Sequence, residues 1–286
     1  MVWNWMIACY LFLAGMGAGA FVFAVVVGWK NPSALKVKKT GMIIGLVAVA
    51  VGTLLLVFDA TAGAKNPLRF FYLLTNWTSV MTWGVALLSA FLIVGFIDLV
   101  LLFVKKQTPK PLDWACVVLA AGVALYTGLL LGVSVAYPLW NIVVLPILFF
   151  VSATSTGFAA GALGGQLAAR DEMESIDFYK PLASWLPLVE AALIALLLIV
   201  VGMTSGSGAQ AASATITALT SGSYAVAFWG GLIVIGLAVP FAIEFMAQKK
   251  SFGASTIMAA EACVLVGGYL LRFLVVVAAV PIVALM

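Results

Sequence analysis

The sequence predicts an all-α integral membrane protein of eight transmembrane helices, and three observations carry that prediction. Apolar residues make up 65% of the 286 and charged residues only 8%, against about 25% charged in an average soluble domain. Mean hydropathy is +1.23; a soluble core of this length has no place to hide so much apolar surface, so lipid must be part of the solvent. Finally, a bilayer core about 30 Å thick takes around 20 residues of helix, and eight stretches of the chain meet that length.

The spans are predicted over residues 4–28, 40–59, 77–104, 113–135, 140–168, 182–203, 222–247 and 255–284. Lys30-Asn31-Pro32-Ser33 closes the first, which lacks a basic leader and is expected to be retained as a helix. Lys105 to Pro111 divides the third from the fourth, and a tight Tyr137-Pro138-Leu139-Trp140-Asn141 turn precedes the fifth. Arg170 to Lys180 is the one strongly charged connection, and Ser205 to Ser223 reads as a small, uncharged loop. Mid-span glycines at helical spacing (Gly15, Gly17 and Gly19 in the first span, Gly161 and Gly165 in the fifth) predict close helix packing. They do not form a nucleotide loop, because no strand precedes them. The similar segments around Gly17-Ala18-Gly19 and Gly157-Phe158-Ala159-Ala160-Gly161 suggest two parallel halves, 1–135 and 140–286, within one membrane domain.

Loop charge orients the chain. Lys30, Lys36, Lys38, Lys39, Lys105, Lys106, Lys110, Arg170, Lys180, Lys249 and Lys250 fall on one side; the opposite loops carry only Lys65 and Arg69. By the positive-inside rule the first set is cytoplasmic and both termini face outward. No charge run suggests nucleic acid. Cys9, Cys116 and Cys263 are far apart, with no C-x-x-C, so no iron–sulfur cluster or zinc site is encoded. The chain has no histidine, which excludes a haem b held by imidazole and leaves proton chemistry to carboxylates, tyrosines and lysines.

Charges inside a span cost about 2.5–3.5 kcal/mol and need a reason. Glu190 lies about 12 Å into the sixth span at 1.5 Å per residue, and Arg272 is at similar depth in the eighth. Glu261, three turns before Arg272, shares its face. Two readings stand: a buried Arg272–Glu190 ion pair that holds helices together, or a proton route through Glu261, Glu190 and Arg272. Asp98 and Glu244, near cytoplasmic ends, are expected to be solvated. At the outer ends, polar residues from several spans gather: Asn4, Asp59, Lys65, Arg69, Asn76, Ser79, Tyr126, Tyr137, Trp140 and Asn141. An interfacial belt accounts for Trp3, Trp5, Trp77 and Trp83. Aromatic walls, hydrogen-bond donors and a carboxylate together suit a lipid-soluble quinone head group.

These residues also carry a resemblance. Tyr10-Leu-Phe-Leu-Ala-Gly15 runs into Gly17-Ala-Gly-Ala-Phe21. Phe58-Asp59 is followed by Asn66-Pro67-Leu68-Arg69-Phe70, then Asn76, Ser79, Met81, Trp83 and Gly84. Tyr126-Thr127-Gly128 leads through Pro138-Leu139-Trp140-Asn141 to Leu145-Pro146 and Ser152, and the last segment is Gly267-Gly268-Tyr269-Leu270-Leu271-Arg272. In this order the segments resemble the NrfD-type family, which includes the membrane subunit of polysulfide reductase, from the first span to the last. The resemblance implies two four-helix bundles in a prokaryotic cytoplasmic (inner) membrane and a quinone site, for menaquinone or ubiquinone, near the outer face. It also implies docking on an iron–sulfur, ferredoxin-like subunit linked to a molybdopterin catalytic subunit.

By the same resemblance Tyr126 would hydrogen-bond a quinone oxygen and Asn4 would line the pocket. Asp59 would accept a quinol proton or orient the site, balanced by Arg69. Two departures bear on this. Ala8 stands where some relatives place a histidine, and Asp59-Ala60-Thr61-Ala62-Gly63 is looser than the family's Asp-Leu-Gly-Arg-Pro form. The expected mechanism is quinol oxidation at the outer half, electrons passing to the partner's clusters and protons leaving through carboxylates. A route along Glu261, Glu190 and Arg272 would couple that step to the membrane potential. The competing classes are a secondary transporter that uses midplane Glu190 and Arg272, and a structural anchor without quinone turnover.

Overall fold

The computed structural model describes residues 4–59, 76–247 and 252–282. Eight helices are long and apolar enough to cross a membrane: α1 (Trp5–Lys30), α2 (Leu35–Asp59), α3 (Val80–Lys105), α4 (Lys110–Gly132), α5 (Val144–Ala168), α7 (Lys180–Gly202), α9 (Ala227–Ala247) and α10 (Ala254–Val277). Two short helices lie between spans, α6 (Arg170–Glu174) and α8 (Ala209–Thr220). Helix is the form that satisfies every backbone N–H and C=O within one segment, which hydrocarbon demands. The sequence-based spans agree with these helices in number and order and differ by a few residues at their ends.

Local chemistry sets several of the ends. Asn4 caps α1, its side chain accepting from the Met6 N–H at 2.7 Å, which satisfies an orphan donor of the first turn. Asn141 does the same for α5, accepting from the N–H groups of Val143 and Val144 at 3.0 Å each. Pro111 and Pro181 occupy the first turns of α4 and α7, where a missing N–H costs nothing. The segment Ser205 to Ser223 departs from its reading as a loop. A 3-10 turn at Gly206–Gly208 leads into α8, whose Ala211, Ala212, Thr215 and Leu219 are buried. Residues 212, 215 and 219 repeat at helical spacing, a pattern that short polar side chains disguise as loop composition. The first three turns of α9, Ala227–Ala238, are wound as π-helix. Pro240 follows, and in an α-turn its ring would crowd the carbonyl four residues back; the wider π turn lies where that crowding would fall.

α1 and α5 are the central helices. α1 packs most extensively on α2 and α5, and also meets α4 and α10; α5 meets α1, α2, α4, α7 and α10. α3 packs on α4 and α2, and α9 on α10 and α7. The predicted small-residue contacts are backbone contacts. A Cβ on Gly157 would lie 2.3 Å from the Cα of Gly19, and one on Gly17 would lie 2.7 Å from the carbonyl oxygen of Gly45. Gly236 and Gly267 meet the same way between α9 and α10, at 2.4 Å. Outward faces carry Val47, Val51, Leu54, Phe96, Val104 and Val118, all exposed, as lipid-facing surface should. Trp5, Trp77, Trp83 and Trp229 are more than half exposed near the ends away from the lysines, forming the expected belt; Trp3 lies outside the described residues.

Gly157→Val forces a side chain into the Gly19 backbone and is expected to destabilise the protein by about 1–3 kcal/mol or more. Gly230→Ala, where nothing lies within 4 Å, is expected to be near neutral. Thermal unfolding of the two variants in mild detergent checks the difference.

Candidate functional site

Two polar regions emerge, one at the end of the molecule away from the lysines and one buried along α5, α7 and α10. At the first, Asn4 and Asp59 meet: the Asn4 Nδ2 donates to the Asp59 Oδ1 at 2.7 Å. The N-cap of α1 thus reaches the last residue of α2, fifty-five positions later. The same Asn4 side chain caps α1 with its oxygen, so its amide is oriented and presents N–H to the carboxylate. Deeper on this side, Tyr126 of α4 is 4% exposed and lies against Gly84 of α3, where a Cβ would fall 1.8 Å from the ring Cζ and 2.0 Å from the hydroxyl. Gly84 is therefore the residue that makes room for the ring. Tyr10 of α1, fully buried, lies beside Tyr126, and its hydroxyl has no hydrogen-bond partner among the described residues. No hydrogen bond among the described residues joins Tyr126 to Asn4 or Asp59. Arg69 and Lys65 lie outside the described residues.

The other sequence-predicted rim residues carry local structural roles. The Asn76 Oδ1 accepts from the Thr78 hydroxyl at 2.6 Å and the Thr78 N–H at 3.2 Å, and its carbonyl accepts from the Thr82 hydroxyl at 2.7 Å. Ser79 is the N-cap position of α3 without a side-chain capping bond. The Trp140 indole is 3% exposed, donates to the Val275 carbonyl at 2.8 Å and stacks on Tyr137 at 3.9 Å. It pins the α4–α5 turn to the last turn of α10. Asn141 is the α5 cap described above. Tyr10 is the residue that sequence reasoning passed over as part of a motif; its signal was a tyrosine about 8 Å into a span of otherwise apolar residues.

The second region centres on Arg272, which is fully buried. Its Nη1 donates to the Ser152 hydroxyl and to the Gly268 carbonyl, both at 2.8 Å. The guanidinium sits 5.2 Å from the Phe149 ring centroid and 5.9 Å from that of Phe12, and a Cβ on Gly15 would lie 3.0 Å from its Nη2. Its Nε and Nη2 have no partner among the described residues. Of the two readings of these charges, the direct Arg272–Glu190 ion pair is not formed: among the described residues no carboxylate oxygen lies within 4.0 Å of the guanidinium. Ser152 stands between them, since the buried Glu190 carboxyl lies beside the Ser152 and Ser155 hydroxyls. The sequence could not show this, because a serine from α5 intervenes between helices α7 and α10.

From there polar groups continue toward the lysine-rich end. A small cavity is lined by Ser155, Glu244, Glu261 and Tyr179, and Gln166 donates to the Glu261 Oε1 at 3.5 Å. Tyr179, Gln166 and Lys180 also line a larger cavity of about 270 Å³. Burial first, and the Glu261 and Glu244 carboxylates next, push the Tyr179 phenol up from its usual value, so it stays a neutral hydroxyl. Glu244 is 7% exposed and Asp98 0%; both were expected to be solvated, and both are buried because neighbouring helices close over them, α2 and α4 over Asp98 and α7 and α10 over Glu244.

The fold is that of a polytopic helical membrane protein with polar residues meeting at one end and ionisable residues buried along α5, α7 and α10. Its sequence matches the family model described as "Polysulphide reductase, NrfD" over residues 1–284, so the chain belongs to the NrfD family. It is 34% identical to a polysulfide reductase chain of Wolinella succinogenes, the alignment covering 97% of this protein and 94% of the relative. It is 31% identical to protein NrfD of Escherichia coli over 97% and 95% of the two sequences. A tetrathionate reductase subunit from Salmonella typhimurium is 29% identical over 52% of this protein and 45% of its own length.

Trp140→Phe leaves the buried Val275 carbonyl without its donor. A cost of about 1–3 kcal/mol is expected, read as a lower unfolding midpoint in detergent, with the polar residues of the outer rim left in place.

Proposed function

We propose that this protein is the membrane subunit of a respiratory reductase complex, binding quinol at its outer end and passing the electrons to a docked iron–sulfur subunit. The reading rests most on the Asn4–Asp59 hydrogen bond of 2.7 Å. It places an oriented amide and a carboxylate at the end of the bundle that also holds the neighbouring Tyr126 and Tyr10. A quinol has two hydroxyls to bind and two protons to lose. Tyr126 supplies a hydroxyl to one ring oxygen, and Asp59, held by Asn4, takes a proton at its carboxylate. Arg69 fits the role of balancing that charge; Asn76, Ser79, Trp140 and Asn141 shape the rim around the site rather than touch substrate.

The names of the relatives, which belong to a polysulfide reductase and a tetrathionate reductase, support a subunit role, with a molybdopterin protein carrying the terminal reduction. The loop-charge bias supports an inner-membrane orientation with both termini outside. Helix packing supports two four-helix halves, residues 1–135 and 140–286, joined through α1 and α5. The polar series from Gln166 through Glu261 and Glu190 to Arg272 supports proton coupling from the cytoplasmic side.

The test is quinol-dependent turnover of the purified complex, with dye-driven reduction by the peripheral subunits as control. Tyr126→Phe is expected to slow the quinol-driven rate about tenfold, the worth of one hydrogen bond of about 1.4 kcal/mol. Asp59→Asn is expected to slow it about a hundredfold, the lower range for a lost general base. Neither should alter the dye-driven rate. Quinol-driven rates at the wild-type level in both variants would overturn the assignment.

A further inference from the structure

The first half holds a buried charged cluster that the quinol reading does not use. Asp98, near the end of α3, is fully buried, and neither carboxylate oxygen has a hydrogen-bond partner among the described residues. It lies against Asp113, in the first turn of α4 and 2% exposed. Asp113 is well served. It accepts from the Trp29 indole of α1 at 2.8 Å and from the Thr108 hydroxyl at 2.7 Å, and sits 3.6 Å from the Lys38 ammonium of α2. Lys38 is itself buried and donates to Thr108 at 2.6 Å. Besides these groups, the Cys116 thiol of α4 is the remaining titratable neighbour.

One ammonium among two carboxylates leaves an uncompensated buried negative charge, which desolvation penalises by about several kcal/mol. A single proton resolves it. Two carboxylates that cannot both ionise share one proton, and that proton would give Asp98 the hydrogen bond it lacks, to the neighbouring Asp113.

The second half repeats the arrangement at the corresponding four helices. Its first helix supplies an N–H donor to the acid (Gln166 to Glu261, as Trp29 to Asp113). Its second helix has a lysine in the first turn, Lys180 as Lys38; its third has an acid within its last two turns, Glu244 as Asp98. Its fourth has one within its first turns, Glu261 two turns in where Asp113 is in the first turn. Glu261 and Glu244 are neighbours, both buried, and the Glu261 Oε2 has no partner among the described residues. The copies differ in access. Lys180 pairs with Asp177 at the surface, and the cavity lined by Tyr179 reaches the acids, whereas Lys38 lies over the first pair.

We propose that each half carries a proton-binding site at its lysine-rich end, formed by two facing carboxylates that hold one proton between them: Asp98 with Asp113, and Glu244 with Glu261. The second overlaps the proton route inferred above. The first stands apart from that route and from quinol binding. The Thr108 hydroxyl, hydrogen-bonded to both Lys38 and Asp113 in the α3–α4 loop, is the connection by which the first pair exchanges its proton with the aqueous phase.

Infrared spectra of the purified full-length protein, without quinone, read the protonated carboxyl directly through its carbonyl stretch and the downshift of that band in D2O. The difference between wild type and Asp98→Asn at neutral pH is expected to show the loss of one acid carbonyl. Asp98→Glu is expected to retain an acid band at a shifted position, which separates a lost proton from a misfolded protein. Glu261→Gln is expected to remove a second, distinct acid carbonyl. Identical acid-carbonyl regions in wild type and Asp98→Asn would overturn the proposal. So would loss of the Asp98 band when sodium or lithium replaces choline in the buffer, since the site would then hold a metal cation.

Discussion

The structure depends on the contact between α1 and α5 at Gly19 and Gly157. There the two central helices touch backbone to backbone, with no space for even a methyl group. In lipid no hydrophobic force drives helices together, so association rests on close packing and on polar contacts. This crossing brings Ser152 of α5 and the N-terminal half of α1 within reach of Arg272 on α10. Larger residues at the crossing would separate Phe12 and Gly15 from the guanidinium they enclose.

Around that seam, polar groups are distributed by what each can bond to. Arg272 is stabilised by a serine, a carbonyl and two aromatic faces rather than by a direct carboxylate contact. The carboxylates at the lysine-rich end are buried in pairs, where each can be neutralised by a proton. At the other end Asn4 and Asp59 stay partly accessible, one turn or more above the tyrosines. The molecule thus separates an outer polar site suited to substrate from inner ionisable groups suited to protons. The sequence has no histidine and its three cysteines are far apart; on the function proposed above, electrons taken from quinol would leave through the docked partner.

Much of this was legible in the sequence. Hydropathy and length identified eight helices because lipid imposes one secondary structure on any long apolar run. Spaced glycines predicted close packing in the first and fifth spans, and Asn4 and Asp59 were both placed among the polar residues that gather at one end; the 2.7 Å bond between them was not foreseen. What was not legible depends on three-dimensional neighbours. α8 escaped notice because its alanines and threonines resemble a loop until Leu219 and Thr215 are seen to face inward. Ser152 between Glu190 and Arg272 could not be read from charges alone. Asp98 and Glu244 looked like residues at the water boundary, yet whether a helix end is open or covered is decided by the adjacent loop and helix. The local bonds of Trp140 to the Val275 carbonyl and of Asn141 to the start of α5 were likewise not legible from composition.

The central claim, that quinol is bound among the outer ends of α1, α2 and α4, is tested most directly by photoaffinity labelling with an azidoquinone in native membranes, followed by peptide mapping. The account predicts adducts on peptides containing Asn4 to Tyr10, Asp59 or Tyr126, displaced by excess unlabelled quinone. Displaceable labelling confined to peptides around Glu190 and Arg272 would contradict it and place the ligand at the midplane, as a transporter would.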